Sequence, residues 1–415
     1  MLKKILLLFI LIFSISAISY ADEIELENFP VEDLWIELEK NNTKTDEPSL
    51  NSRAAIIFDR TSKNIIWGKN MNEKRAMAST TKIMSAILVL EYGNLSETIE
   101  VCKKAANIGG SRLGLHEKDK ITLRDLLYGL MLRSGNDAAV QIAIHLGGSI
   151  EGFAKMMNDK ARELGLQNTN FVTPHGLDDP NHYTTAYELA LLTDYALNIK
   201  EFAQIVNTKT ATIYINGNVM TINNTNELLG YLKGVDGVKT GFTNNAGRCL
   251  VTSTTRNNWQ IISVVLGADT KKHRTTDSIK LIEYAYENYK QINIKEKIES
   301  EFKKWKNENE CKIKVIKGEA VSVTTAISYN YAYELIPIKN GNMENIKIQI
   351  EFIEQLEAPV EQNTEIGKMH IIVENKEIMR IPIVIKDKID KKGMWSYIYE
   401  IFESYTVNLE KIAQN

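Results

Sequence analysis

Ser79-Thr80-Thr81-Lys82-Ile83-Met84-Ser85-Ala86-Ile87-Leu88-Val89-Leu90 is the stretch on which the reading of this chain turns. Its apolar series Ile83, Met84, Ile87, Leu88 and Leu90 ends at Gly93, so the spacing predicts a helix opened at Ser79. A spacing of three returns to the same helix face, which sets the Ser79 hydroxyl beside the Lys82 amine. A serine hydroxyl is a poor nucleophile until a neighbouring base takes its proton, and a lysine can be that base where burial and nearby positive charge hold it neutral. The helix N-terminus adds a favourable end for an anionic intermediate. Alone the pattern says little, because Ser300-Glu301-Phe302-Lys303 repeats it in a charged, helix-like stretch.

Two further elements give it company. Ser134-Gly135-Asn136 lies between a helical pattern opened by the capping-box-like Thr122-Leu123-Arg124-Asp125 and another running from Asp137 through Val140 to His145. These are ordinary turn residues; read chemically, Ser134 relays a proton between Lys82 and a leaving group, and Asn136 hydrogen-bonds a substrate amide and Lys82. Lys239-Thr240-Gly241 ends a strand-like stretch that begins at Gly234. Lys239 offers a cation to a substrate carboxylate, Thr240 a hydroxyl, and Gly241 a backbone that can be approached closely, although a surface strand with a glycine bulge looks similar. The three elements occur in fixed order, 55 and then 105 residues apart, and together they point to serine acyl transfer with a lysine base.

Outward from these motifs, Met1-Leu2-Lys3-Lys4, the apolar run Ile5 to Ile18 and Ser19-Tyr20-Ala21 read as a signal peptide over residues 1–21, with Ala17 as an alternative cleavage point. The run is shorter than the roughly 18 residues a membrane span needs, so the chain is expected to be exported. Residues 22–51 form an acidic, polar spacer. The full chain of 415 residues carries a formal charge of −3, and losing Lys3 and Lys4 leaves about −5; nucleic acid is not an expected partner. Cys102, Cys249 and Cys311 are too few for a disulfide framework and are read as free, mostly buried thiols, with Cys249 a core strand residue and not a nucleophile. No Cys-x-x-Cys or His-Glu-x-x-His occurs, and the spacing of His175 and His182 fits no zinc pattern, so neither metal nor cofactor is expected.

From Ala54 the chain shows a strand pair, Ala54–Phe58 and Ile65–Trp67, around the polar turn Thr61-Ser62-Lys63-Asn64. Helical patterns fill about 79 to 200, and strands return from 235 to 266 with a hairpin at Asn257-Asn258. A helix over Ser278–Tyr289 closes the unit. The expectation is an α/β (α+β) domain over residues 52–290, one antiparallel sheet with helices on its faces. Short β-branched runs such as Ile313-Lys314-Val315 and Ile346-Lys347-Ile348-Gln349-Ile350 predict a small all-β sandwich over residues 291–388. In residues 389–415, Trp395, Ile398, Tyr399, Ile401, Phe402, Tyr405, Leu409 and Ile412 form one apolar helical stripe. That is the pattern of a helix lying on a membrane, though its polar face is acidic and a helix docked on the β domain would share it.

With Gly110-Ser111-Arg112, Thr173-Pro174-His175-Gly176-Leu177, His182-Tyr183, Val235-Asp236-Gly237, Leu356-Glu357-Ala358-Pro359-Val360 and Gly367, these motifs make the chain from about Ser52 onward resemble a low-molecular-mass penicillin-binding protein of the D-alanyl-D-alanine carboxypeptidase family, serine peptidase family S11. The resemblance implies a β-lactamase/transpeptidase-like catalytic domain in which Ser79 is acylated, Lys82 is the general base, and Ser134 and Asn136 complete the proton network. It places Lys239, Thr240, Gly241, Phe242 and Arg274 in substrate binding, with the terminal carboxylate on Lys239, Thr240 and Arg274 and an oxyanion hole made by the backbone N–H groups of Ser79 and Phe242. Some relatives carry histidine where this chain has Phe242. The implied reaction removes terminal D-alanine from peptidoglycan stem pentapeptides without a cofactor; β-lactam antibiotics would acylate the same serine, and the C-terminal helix would attach to the outer face of the cytoplasmic membrane. A secreted β-lactamase and a non-catalytic penicillin-binding sensor are the alternatives.

Overall fold

The run Ala54-Ala55-Ile56-Ile57-Phe58 lacks polar alternation, the mark of a strand covered on both faces, and β1 (Ala54–Asp59) is buried at every position. Asp59 ends it, its carboxylate accepting from the Ser62 backbone N–H at 2.8 Å and the Trp259 indole N–H at 2.8 Å, and the chain turns into β2 (Ile65–Lys69). These strands belong to a computed structural model that describes residues 47–320, 322–328, 334–399 and 401–402. The expected signal peptide, most of the spacer, and the C-terminal helix beyond residue 402 lie outside the described residues.

The chain divides into two compact units between Asn288 and Tyr289. In the first, β3 (Thr98–Glu100), β4 (Lys120–Thr122), β5 (Thr210–Ile215) and β6 (Asn218–Asn223) make a small separate sheet, while β7 (Val235–Thr243), β8 (Gly247–Arg256) and β9 (Trp259–Ala268) join the first two strands. The main sheet is antiparallel in the order β2-β1-β9-β8-β7, which leaves β7 at an edge. Asn257 and Asn258, both at positive φ, turn β8 into β9, as the two-residue hairpin signal requires.

Alternate residues of β8 face opposite ways. Cys249 and Val251 enter the large core of the helical side, whereas Leu250 packs with Ile279 and Ile282 of the helix Lys271–Asn288. The sheet is therefore sandwiched between helices, as expected. At the centre of the helical side runs the helix Lys82–Tyr92, buried from Lys82 to Val89 because it is apolar nearly all round. It follows a 3-10 turn, Ala78–Thr81, so Ser79 sits in that turn, just ahead of the α-helix.

In the second unit, β10 (Tyr289–Asn293) and β11 (Lys314–Ile316) pair with β13 (Leu335–Lys339) and β15 (Gln355–Glu357), while β12 (Thr325–Ile327), β14 (Ile346–Phe352), β16 (Glu365–Val373) and β17 (Lys376–Ile385) form a four-stranded sheet. This is the expected β domain, with an addition: the charged helix Lys295–Asn309 turns Ile298 and Trp305 into its core. The bystander Ser300-x-x-Lys303 lies on that helix. Residues 394–399 and 401–402 are helical, and Trp395, Tyr399, Ile401 and Phe402 are exposed. Among the described residues no helix is long and apolar enough to cross a membrane.

One expectation needs correction. Only Cys249 is a buried thiol; Cys102 is half-buried and Cys311 exposed. Cys102 caps a short helix, its sulfur accepting from Ala105 N–H at 3.5 Å, and Cys311 follows the charged helix on a surface turn.

Candidate active site

The Lys82 side chain is fully buried, and its Nζ lies 2.7 Å from Ser79 Oγ, 2.7 Å from Asn136 Oδ1 and 3.1 Å from the carbonyl oxygen of His175. Ser79 is carried by the 3-10 turn, and Ala78 before it holds φ at +47°, an unusual value for a residue with a Cβ. Two contacts secure the Ala78 carbonyl. Thr81 Oγ1 donates to it at 2.8 Å, and the Gly176 backbone packs so closely that a Cβ there would lie 1.9 Å from its oxygen. Gly176, at φ +87°, is the position in the Thr173–Leu177 loop that only glycine fits.

Ser134 and Asn136 stand at the start of the helix Asn136–Gly147. Ser134 is buried and also left-handed, at φ +61°, so both serines of the site lie in or beside strained backbone, a feature that concentrates at functional sites. The Asn136 amide is fixed from behind: its Nδ2 donates to Gly109 O at 2.8 Å and its backbone N–H to Ser111 O at 2.7 Å. The loop that supplies those carbonyls is tied down by Asp137. Its fully buried carboxylate accepts from the backbone N–H groups of Leu113 (2.8 Å), Gly114 (2.8 Å), Leu115 (3.0 Å) and Ala138 (2.9 Å).

On the other side stands the edge strand β7, which packs against the Ala78–Thr81 turn. A Cβ on Gly241 would lie 3.0 Å from Ser79 N and 3.2 Å from Thr80 N, so glycine is what lets the strand and the serine backbone meet. Lys239 is buried, with Nζ 3.1 Å from Thr240 O. The Thr240 hydroxyl is 2.7 Å from that of Thr225. The Arg248 guanidinium lies over the Phe242 ring, 3.7 Å from its centroid, so an apolar ring and a cation stacked on it occupy this position. Arg274 is buried on the helix Lys271–Asn288, its Nη2 3.4 Å from Glu227 Oε2.

His175 and His182 are internal parts of the loop. Burial first, and then the charge of Lys82, push the His175 imidazole down to about 3; burial pushes that of His182 down to about 4. His182 Nδ1 accepts from Val172 N–H at 2.9 Å, so its proton is on Nε2, which reaches Thr81 Oγ1 at 2.7 Å. Among the described residues no group of His, Cys, Asp and Glu could hold a metal. Cys249 is fully buried opposite Gly241, its thiol pushed up to about 11 by burial, which makes it inert as a nucleophile.

The structure thus brings Ser79, Lys82 and Asn136 into direct contact and sets Gly241 against them. Sequence reasoning missed Asp137, Thr81, Thr225 and Glu227. Asp137 left a trace, an acid in the first turn of its helix; Thr225 and Glu227 left none, because their partners are distant in the chain.

A serine in contact with a buried lysine, beside a glycine-bearing strand edge, defines a serine acyl-transfer enzyme that has lysine where others have histidine. The chain belongs to the D-alanyl-D-alanine carboxypeptidase family, whose sequence profile matches residues 41–270, and the profile of the penicillin-binding protein 5 C-terminal domain matches residues 301–391. It is 30% identical to the D-alanyl-D-alanine carboxypeptidase DacF of Bacillus subtilis over 88% of this chain and 93% of that protein. It is 31% identical to DacC of Escherichia coli over 86% of this chain and 88% of that protein. Among solved structures, penicillin-binding protein 5 from Haemophilus influenzae superposes with a TM-score of 0.69 at 28% identity, covering 83% of this chain and 99% of that one.

Proposed function

We propose that this chain is a penicillin-sensitive D-Ala-D-Ala carboxypeptidase that cleaves the terminal D-alanine from peptidoglycan stem pentapeptides through an acyl-enzyme on Ser79. The observation that carries the reading is the contact of Lys82 Nζ with both Ser79 Oγ and Asn136 Oδ1, each at 2.7 Å, in a fully buried position. Ser79 Oγ attacks the penultimate D-alanine carbonyl while its proton passes to Lys82. The oxyanion is held by the backbone N–H groups of Ser79 and Phe242, each such donor worth about 3 kcal/mol. Ser134 passes the proton to the departing amine; Lys239, Thr240 and Arg274 hold the terminal carboxylate, and water then hydrolyses the acyl-enzyme.

Labelled penicillin followed by intact mass tests this directly: an adduct on the wild type that is absent from Ser79→Ala supports the acyl-enzyme, and no adduct on either refutes it. Release of D-alanine from a pentapeptide then separates an enzyme from a penicillin-binding sensor, and sustained hydrolysis of a chromogenic cephalosporin would favour a β-lactamase.

We further propose that the enzyme is exported and attaches to the outer face of the cytoplasmic membrane through its C-terminal helix. In support, Trp395, Tyr399, Ile401 and Phe402 are all more than 60% exposed, an apolar grouping that water disfavours. Flotation of the chain with phospholipid vesicles, lost on truncation before Met394, is the expected result; equal flotation of the truncated protein refutes it.

A further inference from the structure

The segment after β6 carries a carboxylate that the proposed chemistry does not use. Glu227 is ion-paired on one oxygen with Lys271 and on the other with Arg274 Nη2, at 3.4 Å, both cations belonging to the first turn of the helix Lys271–Asn288. Two residues earlier, Thr225 touches the Thr240 hydroxyl at 2.7 Å. Two residues of chain span at most about 7 Å, so the negative charge of Glu227 is tethered close to the strand that carries Lys239 and Thr240. The Arg274 side chain is 1% exposed and that of Glu227 24%, so Glu227 is the member of the pair that faces solvent, and an arriving anion must displace it to engage Arg274.

We propose that Glu227 is a specificity-determining residue that occupies Arg274 and Lys271 in the free enzyme and competes with the terminal carboxylate of the substrate. This rests on the reading that Lys239, Thr240 and Arg274 receive that carboxylate. An anion reaching Arg274 meets a like charge already bound there, and binding is weakened by the repulsion and by the cost of separating the existing pair. Carboxylates able to engage Lys239 and Thr240 as well gain most against this competition, so the arrangement selects for a correctly placed C-terminus over other anions.

The test compares acylation rate constants for benzylpenicillin and its methyl ester on the full chain. The wild type should prefer the free carboxylate. Glu227→Gln should raise the carboxylate-to-ester ratio about tenfold, the order expected when one like charge is removed a few ångströms from a bound anion, whereas Glu227→Asp, which keeps the charge, should hold the wild-type ratio within about threefold. Lys271→Met, which removes one of the two cations paired with Glu227, should lower the ratio, and it serves equally if Glu227→Gln does not fold. An unchanged or lower ratio in Glu227→Gln, or an unchanged or higher one in Lys271→Met, overturns the competition. A wild type without preference for the carboxylate overturns the anchor reading itself, and the competition with it.

Discussion

Replacing Asp137 by Asn tests how the site is held. Each Asp137 oxygen serves two backbone N–H groups, Leu113 and Ala138 on one, Gly114 and Leu115 on the other, at 2.8 to 3.0 Å. An asparagine keeps one oxygen, so two N–H donors face an NH2 group and lose their acceptor. Hydrogen bonds to a charged partner contribute about 1.5–3 kcal/mol each, which gives a loss of at least about 3 kcal/mol. For a unit of this size that lowers the midpoint by about 6–12 °C, read as thermal loss of penicillin-adduct formation. The slackened loop also supplies Gly109 O and Ser111 O to Asn136, so acylation at 25 °C should slow about tenfold or more, equivalent to about 1.4 kcal/mol. Thr122→Ala is the control. It removes the cap on the neighbouring helix, whose Oγ1 accepts from Asp125 N–H at 3.1 Å, and should cost about 1 kcal/mol without changing the acylation rate. A loss under about 1 kcal/mol in Asp137→Asn, or an unchanged acylation rate, would mean that Asp137 does not hold the loop behind Asn136.

Other consequences are as direct. His175 and His182 are neutral in the fold, at about 3 and about 4, but return towards 6.5 on unfolding. The unfolded chain therefore binds more protons below pH 6.5, so stability falls as pH drops from there towards 4, by up to about 2.7 kcal/mol per pH unit; urea midpoints at pH 7 and 5 should show it, and His182→Asn should flatten the slope by about half. Gly241→Ala would put a Cβ 3.0 Å from Ser79 N. It should cut acylation about tenfold or more with little change in midpoint, since small displacements at a reacting centre are costly, and an active variant would count against the close approach. A thiol reagent should label Cys311 rapidly and Cys102 slowly in the native protein, leaving Cys249 unlabelled until the chain unfolds.

The main sheet was legible because its strands announce themselves locally: an unbroken apolar β1, an Asn-Asn turn between β8 and β9, a glycine where β7 meets the serine. The helix under Ser79 was legible from its apolar spacing, and the cap at Thr122 from its capping-box pattern. What sequence could not show was how the motifs are held. Ser134-Gly135-Asn136 reads as a turn, and nothing local says that Asn136 is fixed by carbonyls 25 to 27 residues earlier. The spacing of His175 and His182 already fitted no zinc pattern, but their backbone partners, the N–H groups of Leu177 and Val172, could not be read from sequence. The helix Lys295–Asn309 is so charged that, although the stretch around Ser300 reads as helix-like, nothing in it announces that Ile298 and Trp305 turn into the core of the β domain.

The placement of Lys82 carries a further consequence for proton transfer. Its Nζ has three acceptors within reach, Ser79 Oγ, Asn136 Oδ1 and His175 O, at 2.7, 2.7 and 3.1 Å. An ammonium has three N–H donors and can use all three. A neutral amine has two N–H donors and a lone pair; donors to Asn136 and His175 and a lone pair facing the Ser79 O–H use the same positions. Both protonation states are therefore matched without movement of the surrounding groups, the condition under which a proton can pass from serine to lysine without reorganising a buried site. Two of the three acceptors depend on loops remote in sequence. Asn136 is braced by the loop that Asp137 ties down, and the His175 carbonyl belongs to the loop in which His182 reaches Thr81. On the proposed reading, in which Lys82 is the base, two loops remote in sequence present oxygen to it beside the nucleophile.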